Sequence, residues 1–273
     1  MVSRGAGFLH TDPCLLMGPV VEVAKRAGCR ILEVYDSGFS VAEKGDRTPL
    51  TEADLAAHEA TEAGLHRLTP DLPVLSEESA DVPFELRRAW PRYWLVDPLD
   101  GTREFIKRTG EFAVNIALID HTEPVLGVVY APVLGVCYFG CRGQGAYRQE
   151  ALDVPEPLAT GPRRTGPVRV AGSRSHRGEN LNRFLAHLGE HELLPMGSAL
   201  KACLVAEGSA DLYPRLGPTS EWDTAAAQCI LEEAGGRLTD TAMQPLRYNT
   251  KESLLNPYFF ASGDPETDWS RYL

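Results

Sequence analysis

Apolar positions follow the helical period near the start of the chain. Between residues 16 and 35 they recur every three or four residues, and Gly38 stands just after the stretch. That spacing predicts a long amphipathic helix, and a glycine beyond it is typical of a helix end. The sequence Thr51-Glu52-Ala53-Asp54 has the pattern of a capping box. We therefore predict that a second helix begins there and continues to about Leu68.

Short strand-like runs dominate the middle of the chain. Residues 73–78 and 94–97 are apolar runs that end in acids, and β-branched-rich runs separated by turn residues follow between residues 112 and 148. The later runs predict an antiparallel meander, and the two acid-ended strands can lie side by side. Residues 151–167 hold four prolines, two glycines and no periodicity. We place a domain boundary there, between an N-terminal α+β domain (1–155) and a C-terminal α/β domain (165–273).

The C-terminal half alternates strands with helices. A strand at 168–171 leads into a polar loop, and a second sheet is expected to close around it. The predicted helices lie at 178–188, near 200–206 and at 224–234, and the further strands at 211–214, 237–239 and 258–261.

Composition narrows the class of protein. With 273 residues, 43% hydrophobic and 24% charged, the chain can form one large or two smaller globular domains. A net charge of -11 without a basic stripe argues against a nucleic-acid polymer as partner. No apolar run is long enough for a transmembrane segment and no secretory signal is visible, so a cytoplasmic protein is expected. The six cysteines form no C-x2-C pair, and we expect them to be reduced and buried.

The densest chemistry stands where the run at residues 94–97 ends, in Asp97-Pro98-Leu99-Asp100-Gly101-Thr102. Pro98 fixes φ and removes a backbone donor, so the chain turns, and both carboxylates with a carbonyl between them can face one point. Hard cations such as Mg²⁺ prefer such oxygen ligands, and the helix start that follows offers N–H groups to an oxyanion. The pattern indicates metal-assisted phosphate hydrolysis. An Asp-rich β-turn with a helix cap is the alternative that this string alone leaves open.

Two further acids each allow two interpretations. Asp54 is either the third residue of a capping box or a catalytic acid. Glu77 ends a strand beside Glu78, where such a pair is either solvated or contributes a metal ligand. Like charges 4 Å apart cost about 4 kcal/mol at an effective dielectric near 20, so a cluster of four acids is more reasonable as an ion site than as structure.

Three blocks, in order along the chain, resemble the inositol monophosphatase superfamily of Mg²⁺-dependent, lithium-sensitive phosphatases. They are residues 75–79 (Leu-Ser-Glu-Glu-Ser), residues 94–102 and residues 221–226 (Glu-Trp-Asp-Thr-Ala-Ala). The resemblance covers nearly all of the chain and implies an α/β (α+β) fold, the layered α/β/α/β/α sandwich of the sugar phosphatases. Residues 197–215 and the loop 172–176 are similar to the bacterial 3'(2'),5'-bisphosphate nucleotidase branch of that superfamily.

The resemblance also implies a site with two or three Mg²⁺ ions. One ion would be shared by Glu77, Asp97 and the Leu99 carbonyl, and a second by Asp97, Asp100 and Asp223.

Catalytic and substrate-binding roles are implied in the same way. Asp54 and Thr102 would orient the attacking water, and Lys44 is a candidate neighbour of a third ion or of the phosphate. From the residues alone, Lys201 and Arg215 are either phosphate ligands or solvated cations. His176 is either a nucleotide contact or an exposed loop residue, and Ser198 is either a substrate contact or the cap of the helix it opens. The substrate-binding residues implied are Gly101, Thr102, His176, Ser198, Lys201, Arg215 and Asp223.

The implied reaction is removal of the 3'-phosphate of adenosine 3',5'-bisphosphate (PAP), giving AMP, in sulfur metabolism, with the sulfated form PAPS as a second candidate substrate. The alternatives are inositol monophosphatase or fructose-1,6-bisphosphatase activity, and a non-catalytic nucleotide-binding relative. The expected partner is a small nucleotide bisphosphate. A monomer and a homodimer both remain open, as does loose association with the inner membrane face.

Overall fold

The computed structural model describes residues 12–37, 41–43, 49–161, 166–173 and 178–273. A 3-10 turn, Pro13–Leu16, precedes the first helix. The helices are α1 (Met17–Ser37), α2 (Glu52–Leu68), α3 (Phe84–Arg87), α4 (Thr102–Ile106), α5 (Glu179–Leu188), α6 (Leu200–Ala206) and α7 (Ala225–Glu233). The strands are β1 (Val41–Glu43), β2 (Pro49–Thr51), β3 (Val74–Ser76), β4 (Arg92–Asp100), β5 (Ala113–Asp120), β6 (Glu123–Ala131), β7 (Val136–Cys141), β8 (Gly145–Glu150), β9 (Glu156–Pro157), β10 (Val168–Gly172), β11 (His191–Pro195), β12 (Leu212–Arg215), β13 (Arg237–Asp240) and β14 (Phe259–Ser262).

A seven-stranded sheet runs in the order β3 to β9, with β3 parallel to β4 and every later pair antiparallel. This confirms the predicted meander and the neighbouring acid-ended strands, since Ser76 pairs with Val96. One face of the sheet packs on α1 and α2, whose apolar stripes supply Val20, Ile31 and Leu65 to the core. The predicted capping box at Thr51 is also formed.

The second sheet has five strands in the order β11-β10-β12-β14-β13. Helices α6 and α7 lie between the two sheets, and α5 covers the outer face of the second. The chain therefore has the layered α/β/α/β/α architecture that was expected. Gly127 on β6 permits the close approach of α7, because a Cβ there would come 2.2 Å from the Ala226 carbonyl oxygen.

The position of the domain boundary stays a prediction. The two sheets separate between β9 and β10, yet one hydrophobic cluster joins residues of both, such as Leu95 and Ala261. Strand β11 was not predicted, because His191–Pro195 mixes charged residues with a proline and lacks a clear period.

The expectation for the cysteines is wrong for three of them. Cys14 and Cys141 form a disulfide across a sequence separation of 127 residues. Their spacing carries no motif, and the pair meets only because the 3-10 turn before α1 lies beside the end of β7. Cys29 is exposed, whereas Cys137, Cys203 and Cys229 are free and buried as predicted. The expectation that all six cysteines are reduced therefore fails for the bonded pair.

Candidate active site

The end of β4 is shaped by a break in its pairing with β5. The register shifts between Asp97 and Asp100, where Pro98 cannot donate to the ladder. Gly101 follows with φ of 96°, a left-handed conformation that favours glycine, and opens α4. A side chain there would also crowd the Glu111 carbonyl oxygen, 3.3 Å from the ideal Cβ position. The break turns both aspartates toward the same edge of the sheet.

Asp97, Asp100 and Asp223 converge at this edge. Each offers a carboxylate oxygen, and the three oxygens lie within 4.8 Å of one another. One oxygen of each acid is held by the protein: Leu99 N donates to Asp97 Oδ1 at 3.0 Å, and Ser220 N donates to Asp223 Oδ2 at 2.9 Å. The second oxygen has no hydrogen-bond donor among the described residues. The donor set is therefore all oxygen and preset for a hard cation.

Electrostatics mark two of these acids, Asp97 and Asp223. Burial raises the pKa of Asp97 well above its usual range, and the charges of Glu77, Asp100, Asp223 and Asp54 raise it further. Burial and Asp100 likewise raise the pKa of Asp223. Glu77 lies outside the group of three but is the strongest charged neighbour of Asp97. The four predicted acids thus share one region, where a bound cation would relieve their repulsion.

Asp100 links the two halves of the chain. Its Oδ2 accepts hydrogen bonds from Ser198 Oγ at 2.7 Å and Ala199 N at 2.6 Å, at the start of α6, and from Asn115 Nδ2 at 3.1 Å. Ser198 takes a left-handed conformation, φ 57°, to reach it. Ser198, predicted to contact substrate, therefore orients the carboxylate of Asp100 in this structure.

Asn115 was missed by the sequence analysis. It is 1% exposed in the middle of an apolar strand, where a polar residue is the signal that could have revealed it. It lies opposite Asp97 across the β4–β5 ladder.

The capping-box interpretation of Asp54 is confirmed, whereas its catalytic role stays a prediction. Its Oδ2 accepts from Thr51 N and Thr51 Oγ1, each at 2.7 Å, which is the capping box. Its Oδ1 accepts from Thr102 Oγ1 at 3.2 Å, 48 residues further along the chain. Thr102 Oγ1 also lies 3.4 Å from the Leu99 carbonyl oxygen. The cap thus holds Asp54 still while its second oxygen orients the Thr102 hydroxyl.

A cleft of about 430 Å³ opens beside the acids and is lined by Asp100, Gly101, Asp223, Lys201 and Arg215. Lys201 is 6% exposed and its Nζ donates to the Ser198 carbonyl oxygen. Its Nζ also stands 5.1 Å from the centre of the Tyr213 ring. Burial lowers the pKa of Lys201 to about 8, while Asp100 raises it and Arg215 lowers it. Acidic and cationic side chains therefore meet at this cleft, and we call the three convergent acids its acidic wall and Lys201 with Arg215 its cationic wall.

Two predicted residues cannot be placed. His176 and Lys44 lie outside the described residues. Ser173, which directly precedes the undescribed residues 174–177, lines the cleft. All the other predicted site residues stand around the acidic edge or the cleft.

The layered fold and the acid-lined cleft are typical of a class of metal-dependent phosphatases. Similarity to known proteins identifies the family. Residues 16–265 match the model of the inositol monophosphatase family. The chain belongs to that family.

Curated relatives are more specific. The chain is 50% identical over 250 residues to "3'(2'),5'-bisphosphate nucleotidase CysQ" of Escherichia coli K12, covering 90% of this chain and 99% of the relative. It is 39% identical to the protein of the same name from Haemophilus influenzae, covering 93% and 95% of the two chains. Both chains are thus covered almost from end to end.

Solved structures agree. CysQ from Bacteroides thetaiotaomicron, described as a bacterial member of the inositol monophosphatase family, superposes with a TM-score of 0.80 at 42% identity, covering 93% of this chain and 98% of that one. The extragenic suppressor protein suhB from Bartonella henselae gives a TM-score of 0.78 at 26% identity, with coverage of 94% and 98%. In the part of the chain that the structure describes, no helix is long and apolar enough to cross a membrane.

Proposed function

We propose that this protein is a Mg²⁺-dependent 3'(2'),5'-bisphosphate nucleotidase that hydrolyses the 3'-phosphate of PAP to give AMP and phosphate, with PAPS as a second substrate. The observation that carries the proposal is the cleft itself, where Asp100 and Asp223, two of the three convergent acids, share the lining with Lys201 and Arg215. A substrate with two phosphates can use both walls, whereas a single phosphate leaves the cations idle. The identity to curated nucleotidases over nine-tenths of the chain supports this choice.

The residues fit a pair of magnesium ions, because each of the three convergent acids keeps one oxygen without a donor among the described residues. Glu77, Asp97 and the Leu99 carbonyl would hold the first ion, and Asp97, Asp100 and Asp223 the second. When bound, two such ions activate water and stabilise the charge on the attacking and leaving oxygens of a phosphoryl transfer. A third, weaker ion near Lys44 stays a prediction.

The protein's own groups then position the reactants. The Thr102 hydroxyl, held by Asp54, orients the attacking water, because an ionised carboxylate only accepts and a hydroxyl can both give and take a hydrogen bond. The N–H groups of Gly101 and Thr102 hold the phosphate that is cleaved. Lys201 and Arg215 bind the 5'-phosphate, with His176 as a further nucleotide contact. Asp223 also faces the substrate, since it lines the cleft.

Substrate comparison tests the proposal. Phosphate release from PAP, inositol 1-phosphate and fructose 1,6-bisphosphate is measured with Mg²⁺, and PAP is expected to give the highest kcat/KM by at least about a hundredfold. A preference for inositol phosphate would replace the nucleotidase assignment with the inositol monophosphatase alternative. No turnover of any of the three would favour a non-catalytic relative. Cytoplasmic location and the oligomeric state stay predictions.

A further inference from the structure

The short turn that carries Asp223 has a second acid on its buried side. Glu221 and Asp223 belong to one 3-10 turn, and Asp223 lines the cleft whereas Glu221 does not. Glu221 is 1% exposed, and its Oε2 accepts a hydrogen bond from Asn249 N at 2.8 Å. A carboxyl group buried this deeply needs partners on the protein side. The partners lie on two other parts of the chain.

Arg87, at the end of α3, and Asn249 form a reciprocal pair. The Arg87 guanidinium donates through Nη1 to Asn249 Oδ1, and Asn249 Nδ2 donates to the Arg87 carbonyl oxygen at 2.7 Å. Arg87 Nη2 donates to the carbonyl oxygen of Lys251 at 3.0 Å, and Arg87 is itself 1% exposed. Asn249 has φ of 55°, a conformation that asparagine tolerates better than most residues. A continuous buried chain of contacts therefore runs from Arg87 through Asn249 to Glu221.

This chain of contacts joins the turn that carries Asp223 to the segment that leads into β4. Arg87 is joined by a short loop to β4, which carries Asp97 and Asp100 at its other end. Tyr93 on β4 is fully buried, and burial raises its pKa. The charge of Glu221 raises this pKa further and the charge of Arg87 lowers it, so both charged groups lie near this strand. The turn bearing Asp223 is thus braced against the strand that bears the other two acids.

The segment after Asn249 forms further hydrogen bonds with the same turn. Glu221 N donates to the Leu254 carbonyl oxygen at 2.8 Å, and Asn256 Nδ2 donates to the Ser220 carbonyl oxygen at 2.6 Å. Asn256 Nδ2 also lies 3.0 Å from Thr224 Oγ1, just past the turn. The backbone on both sides of Asp223 is therefore fixed by one neighbouring segment.

We propose that Arg87, Asn249 and Glu221 are positioning residues that set the place of Asp223 relative to Asp97 and Asp100 and thereby the affinity for the second metal ion. None of the three is among the proposed ligands. Metal affinity depends on ligand placement, and residues that orient ligands from outside the coordination sphere typically contribute tenfold to a hundredfold. The inference rests on the two-ion site of the proposed function but not on the identity of the substrate.

Direct metal binding tests the proposal. Mn²⁺ is titrated into the metal-free protein, with bound ion followed by electron paramagnetic resonance, for the natural chain, Arg87→Lys and Glu221→Gln. Arg87→Lys keeps the charge but removes the two-nitrogen fork, and Glu221→Gln keeps the shape but removes the charge. The natural chain is expected to bind two ions, and both variants to bind one with unchanged affinity and the other about tenfold more weakly. Equal affinities in all three proteins would overturn the proposal.

A matched control separates positioning from loss of stability. Arg169→Lys breaks a comparable fork, in which Arg169 Nη2 donates to Asp211 Oδ1 at 2.6 Å, at the start of β10 and away from the cleft lining. It is expected to lower Tm without changing Mn²⁺ affinity. If Arg87→Lys does not fold, Asn249→Gly replaces it, because glycine keeps the left-handed backbone and removes only the side-chain amide. Weakening of both ions in equal measure would indicate a general structural role and contradict the proposal.

Kinetics provide an independent readout. In Arg87→Lys, the Mg²⁺ concentration for half-maximal turnover of PAP is expected to rise about tenfold, while kcat at saturating Mg²⁺ recovers to within about twofold. A loss of kcat that excess Mg²⁺ does not recover would oppose the inference. If the natural chain fails to hydrolyse PAP but the Mn²⁺ affinities change as expected, the substrate assignment fails and the positioning role stands. If the natural chain hydrolyses PAP and the variants bind Mn²⁺ with unchanged affinity, the substrate assignment stands and the positioning role fails.

Discussion

The two walls of the cleft carry opposite charges that the protein itself leaves incompletely matched. On the acidic wall, burial and mutual repulsion raise the pKa values of Asp97 and Asp223, which favours loss of their charge. On the cationic wall, burial lowers the pKa of Lys201 to about 8 although the charge of Asp100 raises it, and this also favours loss of charge. Each wall is therefore electrostatically unfavourable without a ligand of the opposite sign.

The positioning cluster behind Asp223 differs in this respect. There the buried Arg87 guanidinium and Glu221 carboxylate are joined through Asn249 and several carbonyl oxygens. Burial raises the pKa of Glu221 to about 7, but the hydrogen bond from Asn249 N and the charge of Arg87 lower it, whereas the cleft acids raise the pKa values of one another. Buried charges that are offset by opposite charges within the protein hold the structure, whereas like charges gathered at a cleft indicate bound ions or substrate. The predictions below test this distinction.

The largest effect is expected from Asp97→Asn. It removes the carboxylate shared by both proposed ions, so kcat is expected to fall by about a thousandfold or more with PAP as substrate. Phosphate release at saturating Mg²⁺ measures the loss. Turnover that remained within about tenfold of the natural chain would exclude the two-ion scheme.

The same variant is expected to stabilise the metal-free protein. The raised pKa of Asp97 means that the folded state binds more protons than the unfolded chain, so its contribution to stability falls as pH rises past about 4. Asp97→Asn removes this penalty, and Tm of the metal-free protein is expected to rise by several degrees near pH 8, at about 2–4 °C per kcal/mol. Calorimetry across the pH range measures the difference.

Asp120→Asn is the control variant, and it is expected to change Tm in the opposite direction. Burial alone would raise the pKa of Asp120, but the hydrogen bond from Arg92 at 2.7 Å and its charge lower it. Its carboxylate therefore stabilises the folded state at neutral pH, and that contribution is lost as pH falls. If Asp97→Asn lowers Tm, as Asp120→Asn is expected to do, then the protein already compensates the negative charge of the acidic wall.

Much of this arrangement could be predicted from sequence because it depends on local pattern. The helical stripe of α1, the capping box at Thr51 and the acid-ended strands β3 and β4 all follow from periodicity and turn chemistry. The likeness of three blocks to a known family then grouped acids from distant segments, which no local pattern could do.

The rest depended on tertiary contacts without a local signal. Asn115 and the Arg87–Asn249 pair are polar residues whose partners lie far along the chain, 162 residues away for the pair. Ser198 reaches Asp100 only because the second half of the chain packs on the first. The Cys14–Cys141 bond likewise joins residues that no spacing rule connects.

A smaller loss of activity is expected from Thr102→Val, which keeps the shape of the side chain but removes the hydroxyl that Asp54 holds. If the hydroxyl orients the attacking water, kcat falls by about a hundredfold while KM for PAP changes little. Thr109→Val is the matched control, because Thr109 is exposed and does not line the cleft. Equal kinetics for the two variants would remove Thr102 from the proposed catalytic pair.

The cationic wall is expected to affect substrate choice more than rate. Lys201→Met removes a buried charge beside the cleft, and KM for PAP is expected to rise about tenfold to a hundredfold, the usual contribution of a charge-assisted hydrogen bond. The KM for 3'-AMP, which lacks the second phosphate, is expected to stay within about twofold. Lys107→Met, an exposed lysine outside the cleft lining, is the control. If both substrates lose affinity equally, Lys201 supports the fold of the cleft rather than the second phosphate.

The disulfide is expected to affect stability without affecting activity. Cys14→Ala opens a bond that spans 127 residues, and loss of so long a cross-link costs about 2–5 kcal/mol, mainly by freeing the unfolded chain. Neither Cys14 nor Cys141 lines the cleft, so kcat and KM for PAP are expected to stay within about twofold. Thermal unfolding with and without dithiothreitol measures the loss, and Cys29→Ala, which changes an exposed free cysteine, is the control. An unchanged Tm would mean that the bond is not formed in solution. A fall in kcat on reduction would instead show that the turn before α1 affects the acidic wall from a distance. Contacts that stabilise the fold and groups that bind the ligand would then not be independent.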